Sequence, residues 1–222
     1  NFIIIFFILW IYKIDIVHAR SRAPAWSCLW ACFFSGKKFV TTFHGTYNFS
    51  SKLKHFYNSV MVRSKLIIGG SNFIFSHINE NYQKYLNAKK QKLMVVFRGI
   101  NLEFFNEKNV SEKKVNTLAS KWKIDKKNFV ILLPGRLTGW KGQETFIEAL
   151  NTLVEDHNNE NFHSIILGSD QGRNVYSKKL LLLVEQYRLG NKITFIENCK
   201  EMPLAYKLSD LVVSSSIEPE AF

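Results

Sequence analysis

The chain has 222 residues, 46% of them hydrophobic and 22% charged, and its 30 Lys and Arg against 18 Asp and Glu give a formal net charge of +12. That is ample apolar material for one large core or two smaller ones of about a hundred residues each. The charge points to an acidic partner such as anionic lipid or a phosphorylated substrate. The lysines are scattered, however, and no RNP, zinc-finger or helix-turn-helix signature accompanies them, so nucleic acid is excluded. Cys28, Cys32 and Cys199 leave one thiol over in any disulfide scheme and form no C-x-x-C. They favour a reducing compartment and small buried side chains over a metal site.

In chain order, residues 2–12 are apolar throughout. The run is too short to cross a bilayer, and neither a positive segment nor a small-residue cleavage site flanks it. A buried helix fits best, with a membrane-dipping helix as the alternative. A strand at 14–18 is followed by a helix at 24–34, with Pro24 in its tolerant first turn, and a strand at 38–43. A helix at 51–63 places Leu53, Phe56, Tyr57, Val60 and Met61 on one face. A strand at 65–69, a helix capped by Ser71 or Asn72 and running to Tyr85, and a strand at 93–97 complete this half. Residues 106–116 are polar, charged and without a period, which reads as the crossing between domains at 1–106 and 107–222. The pattern then restarts with a helix to Trp122, strands at 129–133, 164–167, 192–196 and 211–214, and helices at 142–156, 175–188 and 202–208. The alternation predicts an α/β protein of two Rossmann-like lobes, each a parallel sheet flanked by helices. With no initiator Met and an end just after a strand, both lobes are expected to be incomplete.

The stretch at 134–143, Pro-Gly-Arg-Leu-Thr-Gly-Trp-Lys-Gly-Gln, joins the apolar strand 129–133 to the helix carrying Phe146, Ile147 and Leu150. Ligands of open α/β sheets sit at the carboxyl ends of strands, where helix N–H groups face an anion. Arg136 and Lys141 bring two cations there, and Gly135, Gly139 and Gly142 permit close backbone approach. Such a loop suits a diphosphate, although a helix cap with two solvated cations explains it equally well. It is neither a Walker A loop nor a G-x-G-x-x-G fingerprint. Further polar clusters end other strands: His18 to Arg22, His44-Gly45, Gly168 to Arg173, Cys199 to Met202, and Glu218-Pro219-Glu220. Their concentration on one edge marks a site.

Asp15-Ile16-Val17-His18, Thr42-Phe43-His44-Gly45, Arg98-Gly99-Ile100-Asn101 with Phe104-Phe105, Pro134-Gly135-Arg136-Leu137 with Lys141-Gly142, and Glu218-Pro219-Glu220-Ala221-Phe222 occur in the order seen in retaining glycosyltransferases of family four. The resemblance spans essentially the whole chain and implies the GT-B fold. It is nearest to the bacterial branch that builds lipopolysaccharide and other surface glycans. It implies that Arg136 and Lys141 hold the diphosphate of a nucleotide-sugar donor, with Gly135 and Gly168 in close approach and Cys199 to Met202 against the nucleobase. His44 would reach the donor sugar, a role that suits a titratable imidazole. Glu220 matches the first glutamate of an E-x7-E motif whose second glutamate would fall beyond Phe222. Arg20 and Arg22 would face an anionic acceptor. Glycosyl transfer expels a nucleoside diphosphate, so two fixed cations can serve where other enzymes use a metal, and no Asp-x-Asp motif is present. No metal or other cofactor is expected.

The implied reaction moves a sugar from a nucleoside-diphosphate donor to a hydroxyl of a glycan or lipid-linked acceptor, with retention of configuration. The implied location is cytoplasmic, peripheral on the inner face of the cell membrane and against an anionic membrane surface. With part of the donor site beyond Phe222, the 222 residues are expected to be weakly active or inactive alone. A GT-B epimerase or phosphorylase, and a non-catalytic basic binding module, remain as alternatives.

Overall fold

The computed structural model describes residues 1–47, 50–87, 89–156 and 161–221. Phe222, last of the Glu-Ala-Phe run, lies outside the described residues. The chain divides into two compact units, Asn1–Gly99 together with Glu220–Phe222, and Ile100–Pro219.

The first unit runs α1 (Phe2–Ile11), β1 (Ile16–Ala19), α2 (Arg22–Ser35), β2 (Lys38–Phe43), α3 (Lys52–Asn58), β3 (Leu66–Gly69), α4 (Asn72–Tyr82) and β4 (Lys92–Val95). Its four strands lie in the order β1-β2-β3-β4, all parallel. Local chemistry sets the helix ends: the Ser51 and Ser71 hydroxyls accept from the backbone N–H groups of Lys54 and Ile74, and Gly36 closes α2 in the left-handed region at φ 68°. Phe43, Met61, Ile67, Ile74 and Ile78 are fully buried between sheet and helices. Ala19 pairs with Thr41, Phe43 with Gly69 and Gly69 with Val95. Arg20, His44, Gly70 and the segment to Arg98 therefore all leave the sheet at one edge.

Two expectations fail in this unit. α1 is not buried: among its described residues only Leu9 is, while Ile4 and Trp10 are 63% and 75% exposed. A helix apolar on every side can bury only the side that meets a neighbour, and here that neighbour is α2. The apolar face expected at 51–63 splits as well. Val60 and Met61 are buried in a 3-10 turn that follows α3, whereas Leu53, Phe56 and Tyr57 point outward. The change from α to 3-10 winding rotates the later residues inward.

The second unit runs α5 (Glu112–Trp122), β5 (Phe129–Pro134), α6 (Gln143–Glu155), β6 (Phe162–Leu167), α7 (Asn174–Gln186), β7 (Ile193–Ile196), α8 (Met202–Leu208) and β8 (Leu211–Val212). Its parallel sheet has the order β7-β6-β5-β8. The β5 run Val130-Ile131-Leu132-Leu133 is buried on both faces, as an interior parallel strand requires. One core cluster lies under α6 and α7 and another under α5 and α8. Asp210 ties β8 to β5 by accepting from the Val130 N–H at 2.7 Å. The polar segment 106–116 is part helix, since α5 starts at Glu112 and buries Val115, Ala119 and Trp122 at helical spacing. No helix among the described residues is long and apolar enough to cross a membrane.

Candidate active site

In the first unit, the strand edge gathers His18, Arg20, His44 and Arg98. Arg20 Nε donates to His44 Nε2 at 3.1 Å, and Arg98 Nη2 lies 2.6 Å from His44 Nδ1. A guanidinium only donates, and a neutral imidazole has a single acceptor nitrogen. Both contacts therefore oppose a second proton on the ring. Burial pushes the His44 pKa below its ordinary value, with Arg98, Arg20 and His18 adding to the effect. His18 lies beside it, its Nε2 2.7 Å from Thr42 Oγ1, with a pKa lowered by burial and then by Arg20.

Arg22 stands apart from Arg20, although the sequence paired them. Its Nη1 donates to Asn58 Oδ1 at 2.9 Å, and its guanidinium lies 4.3 Å from the Tyr47 ring centroid. It braces α2 against the loop after β2. Glu220 is half-buried and groups with the first unit. Its neighbour Ala221 accepts from Ser71 Oγ at 2.5 Å and packs on the first core. A Cβ added at Gly45, next to His44, would lie 4.0 Å from Ala221 Cβ.

In the second unit, Gly135, Arg136 and Lys141 share the loop that leaves β5. Lys141 lies along Gly135, where an added Cβ would sit 3.6 Å from Lys141 Cδ, and its ammonium is 4.5 Å from the Trp140 ring centroid. The Arg136 side chain is exposed. Its carbonyl accepts from Gln143 Nε2 at 2.8 Å, and the buried Gln143 side chain is held in turn by the Tyr176 hydroxyl. Ser215 Oγ bonds the carbonyls of Lys141 and Gly142 at 3.1 and 2.9 Å, and Ile217 N–H donates to Trp140. The loop is thus fastened both to its own helix and to the segment after β8. Gly168 crosses the base of this loop so closely that a Cβ there would fall 1.9 Å from the Gly135 oxygen.

Cys199 and Met202 belong to a different neighbourhood. Both pack on the α5–α8 core cluster, and Cys199 borders a hollow of about 460 Å3 with Leu118, Trp122 and Leu204. Neither Arg136 nor Lys141 lines it. Burial raises the Cys199 thiol pKa. A second hollow of 410 Å3, lined by Phe105, Glu107, Tyr206 and Lys207 among others, takes Phe105 from the motif that starts at Arg98 but none of the donor- or acceptor-binding residues expected from the sequence. Among the described residues, no group of three His, Cys, Asp or Glu side chains is placed to hold a metal ion.

Three residues were missed as members of the site. Arg98 was noted only as part of a motif, because a loop cation gives no hint of the side chain it will meet across 54 positions. Gln143 and Ser215 act through loop carbonyls, which the sequence does not display. A polar residue at the first position of an otherwise amphipathic helix was the one available signal for Gln143.

Two parallel four-stranded sheets flanked by helices form the GT-B architecture of glycosyltransferases, and solved structures of that class resemble the chain. Residues 5–104 match the family described as Glycosyltransferase Family 4, and residues 114–222 the family described as Glycosyl transferases group 1. Together the two matches take in most of the chain, and both describe glycosyltransferase domains. A glycosyltransferase from Rickettsia africae is 36% identical with a TM-score of 0.85, over 100% of this chain and 56% of that one. Spore coat protein SA of Bacillus subtilis is 24% identical over 213 residues, 92% of this chain and 54% of that protein. Anabaena HepE in complex with UDP-glucose shares the fold at 20% identity and a TM-score of 0.82, over 99% of this chain and 57% of that one. The chain thus spans about half the length of the relatives it matches.

Proposed function

We propose that the chain is the larger part of a retaining glycosyltransferase that moves a hexosyl group from a nucleoside-diphosphate sugar to a hydroxyl of a glycan or lipid-linked acceptor. The observation that carries this is the fastened loop after β5, with Arg136 and Lys141 on one short segment whose backbone Gln143 and Ser215 hold. A departing nucleoside diphosphate gains charge as the glycosidic bond breaks. Donors fixed beforehand stabilise that charge without reorganising, which lowers the barrier more than it tightens ground-state binding. In this role the two cations neutralise the leaving group without a metal ion. The UDP-glucose complex of the HepE neighbour makes a nucleotide sugar the natural class of donor.

In the first unit, His44 carries its lone pair at neutral pH and is assigned to the donor sugar or the acceptor proton. Arg20 and Arg98 hold the ring between them, and Arg20 is the cation left to meet an anionic acceptor, since Arg22 is committed to Asn58 and Tyr47. Glu220 is assigned to the donor sugar. Gly168 sets the floor of the diphosphate loop, and Cys199 and Met202 are assigned to the nucleobase side.

The test is a panel of nucleoside diphosphates read by thermal shift and calorimetry. At least one should stabilise the chain, and Arg136→Ala and Lys141→Ala should each weaken it about tenfold or more, the worth of one charge-assisted bond. A chain that responds to none of the panel, or whose affinity is indifferent to both substitutions, is not a donor-binding transferase. That second result would leave a non-catalytic basic module.

A further inference from the structure

Among the long helices of the second unit, α7 alone turns large aliphatic side chains to solvent. α5 and α6 present polar ones, such as Asn116 and Lys121 on the first and Glu148 and Thr152 on the second. On α7, Val175, Leu181 and Leu182 are 86%, 53% and 65% exposed, while Leu180 and Val184 are buried. The unbroken apolar run from Leu180 to Val184 extends past the arc of helix that the sheet can cover.

The inward line of α7 runs through Tyr176, Leu180, Val184 and Tyr187, all packed in the core under α6 and α7. The opposite line runs through Val175, Lys178, Leu182 and Glu185, with Leu181 beside it. Steps of three, four and three are the spacing at which one helix lies along another. The charges on this line complement one another. Lys179 is already neutralised within the chain, its ammonium 2.5 Å from Glu144 Oε2. Lys178 and Glu185 are exposed, and among the described residues neither side chain joins an ion pair. Seven positions apart, they stand about 10 Å from each other along the axis, too far to pair within one helix.

We propose that α7 pairs antiparallel with α7 of a second copy of this chain, across a two-fold axis passing near Leu181 and Leu182. In that arrangement Lys178 of each copy comes level with the partner's Glu185, and the exposed leucines of both copies meet at the centre. Charge complementarity selects a second copy as the occupant, because one helix supplies both signs in the reversed order that a two-fold contact requires. The second unit also has nearly equal numbers of cations and anions, so copies approach there without net repulsion. One helix crossing its own mate covers less than a standard interface of roughly 1,200–2,000 Å2, so the pairing is weak and reversible. The proposal stands apart from the transfer reaction and does not rest on it.

Sedimentation equilibrium of the full chain, from the micromolar range to about 0.5 mM, should show monomer passing to dimer and no further. Lys178→Glu and Glu185→Lys should each lower the association constant about tenfold or more, since by symmetry each puts two like-charge contacts into the interface. Lys178→Glu combined with Glu185→Lys should restore it to within about threefold, because the reversed pair is complementary again. Leu181→Asn with Leu182→Asn, which keeps every charge, should abolish the dimer over the same range. Leu53→Ser with Phe56→Ser, on the exposed apolar side of α3, should leave association unchanged. All of these positions are exposed, so unaltered melting curves identify folded variants. A chain that stays monomeric throughout, growth past the dimer, or a charge-swapped double variant that fails to associate would overturn the proposal. So would association that ignores the α7 substitutions and is lost with the two serines.

Discussion

His44 sits between two groups that can only donate, and it shares a direction of pKa change with His18, His77 and His163, each lowered first by burial. A histidine whose folded pKa lies below its unfolded value near 6.5 binds more protons when unfolded. Its contribution to stability is fully present above about pH 6.5 and is lost as pH falls through the folded value. Melting temperature should therefore decline on acidification from pH 7 to pH 5, and His44→Gln should make that decline shallower. An unchanged slope would mean that burial and the two arginines do not hold the His44 pKa down. Chemistry-bearing residues could be read from the sequence wherever they end a strand, as His44 and Arg136 do, because parallel strands put their carboxyl ends together. Arg98 could not be read as a partner of His44, and Arg22 could not be told from Arg20, because a side chain's direction depends on neighbours remote in sequence.

At the scale of elements, strand and helix boundaries were legible because the period of apolar residues changes sharply between them, and β2 and α8 fall where the pattern puts them. The two failures, α1 and α3, concern facing instead of type. Periodicity says which residues share a side of a helix, but not whether anything covers that side. The loop after β5 offers a sharper prediction. At Gly142 (φ 70°) an added Cβ would fall 1.9 Å from the Ser215 oxygen, and at Gly168 it would meet the Gly135 oxygen at the same distance. Those obstacles are backbone, so Gly142→Ala and Gly168→Ala should each cost about 3 kcal/mol or more and lower the melting temperature by roughly 6–12 °C. Gly190→Ala, facing open space, should change it little.

Across the whole molecule, composition allowed one large core or two smaller ones, and the parallel α/β plan followed from the alternation of strand and helix. The uneven distribution of charge, fourteen Lys and Arg against three Asp and Glu in the first unit and sixteen against fifteen in the second, was hidden, since it emerges only once the sequence is divided into its units. The placement of the thiols has a practical consequence of its own. Cys28 and Cys32 are buried along α2, and burial, reinforced in Cys32 by its neighbour, drives the latter to about 11. Thiols raised in this way stay protonated at neutral pH, so alkylation there must wait for the surrounding structure to open. Cys199 is half-exposed and lies in the second unit. Iodoacetamide, resolved by peptide mass, should therefore mark Cys199 first and the α2 pair only later, which makes the three thiols separate clocks for the breathing of each half.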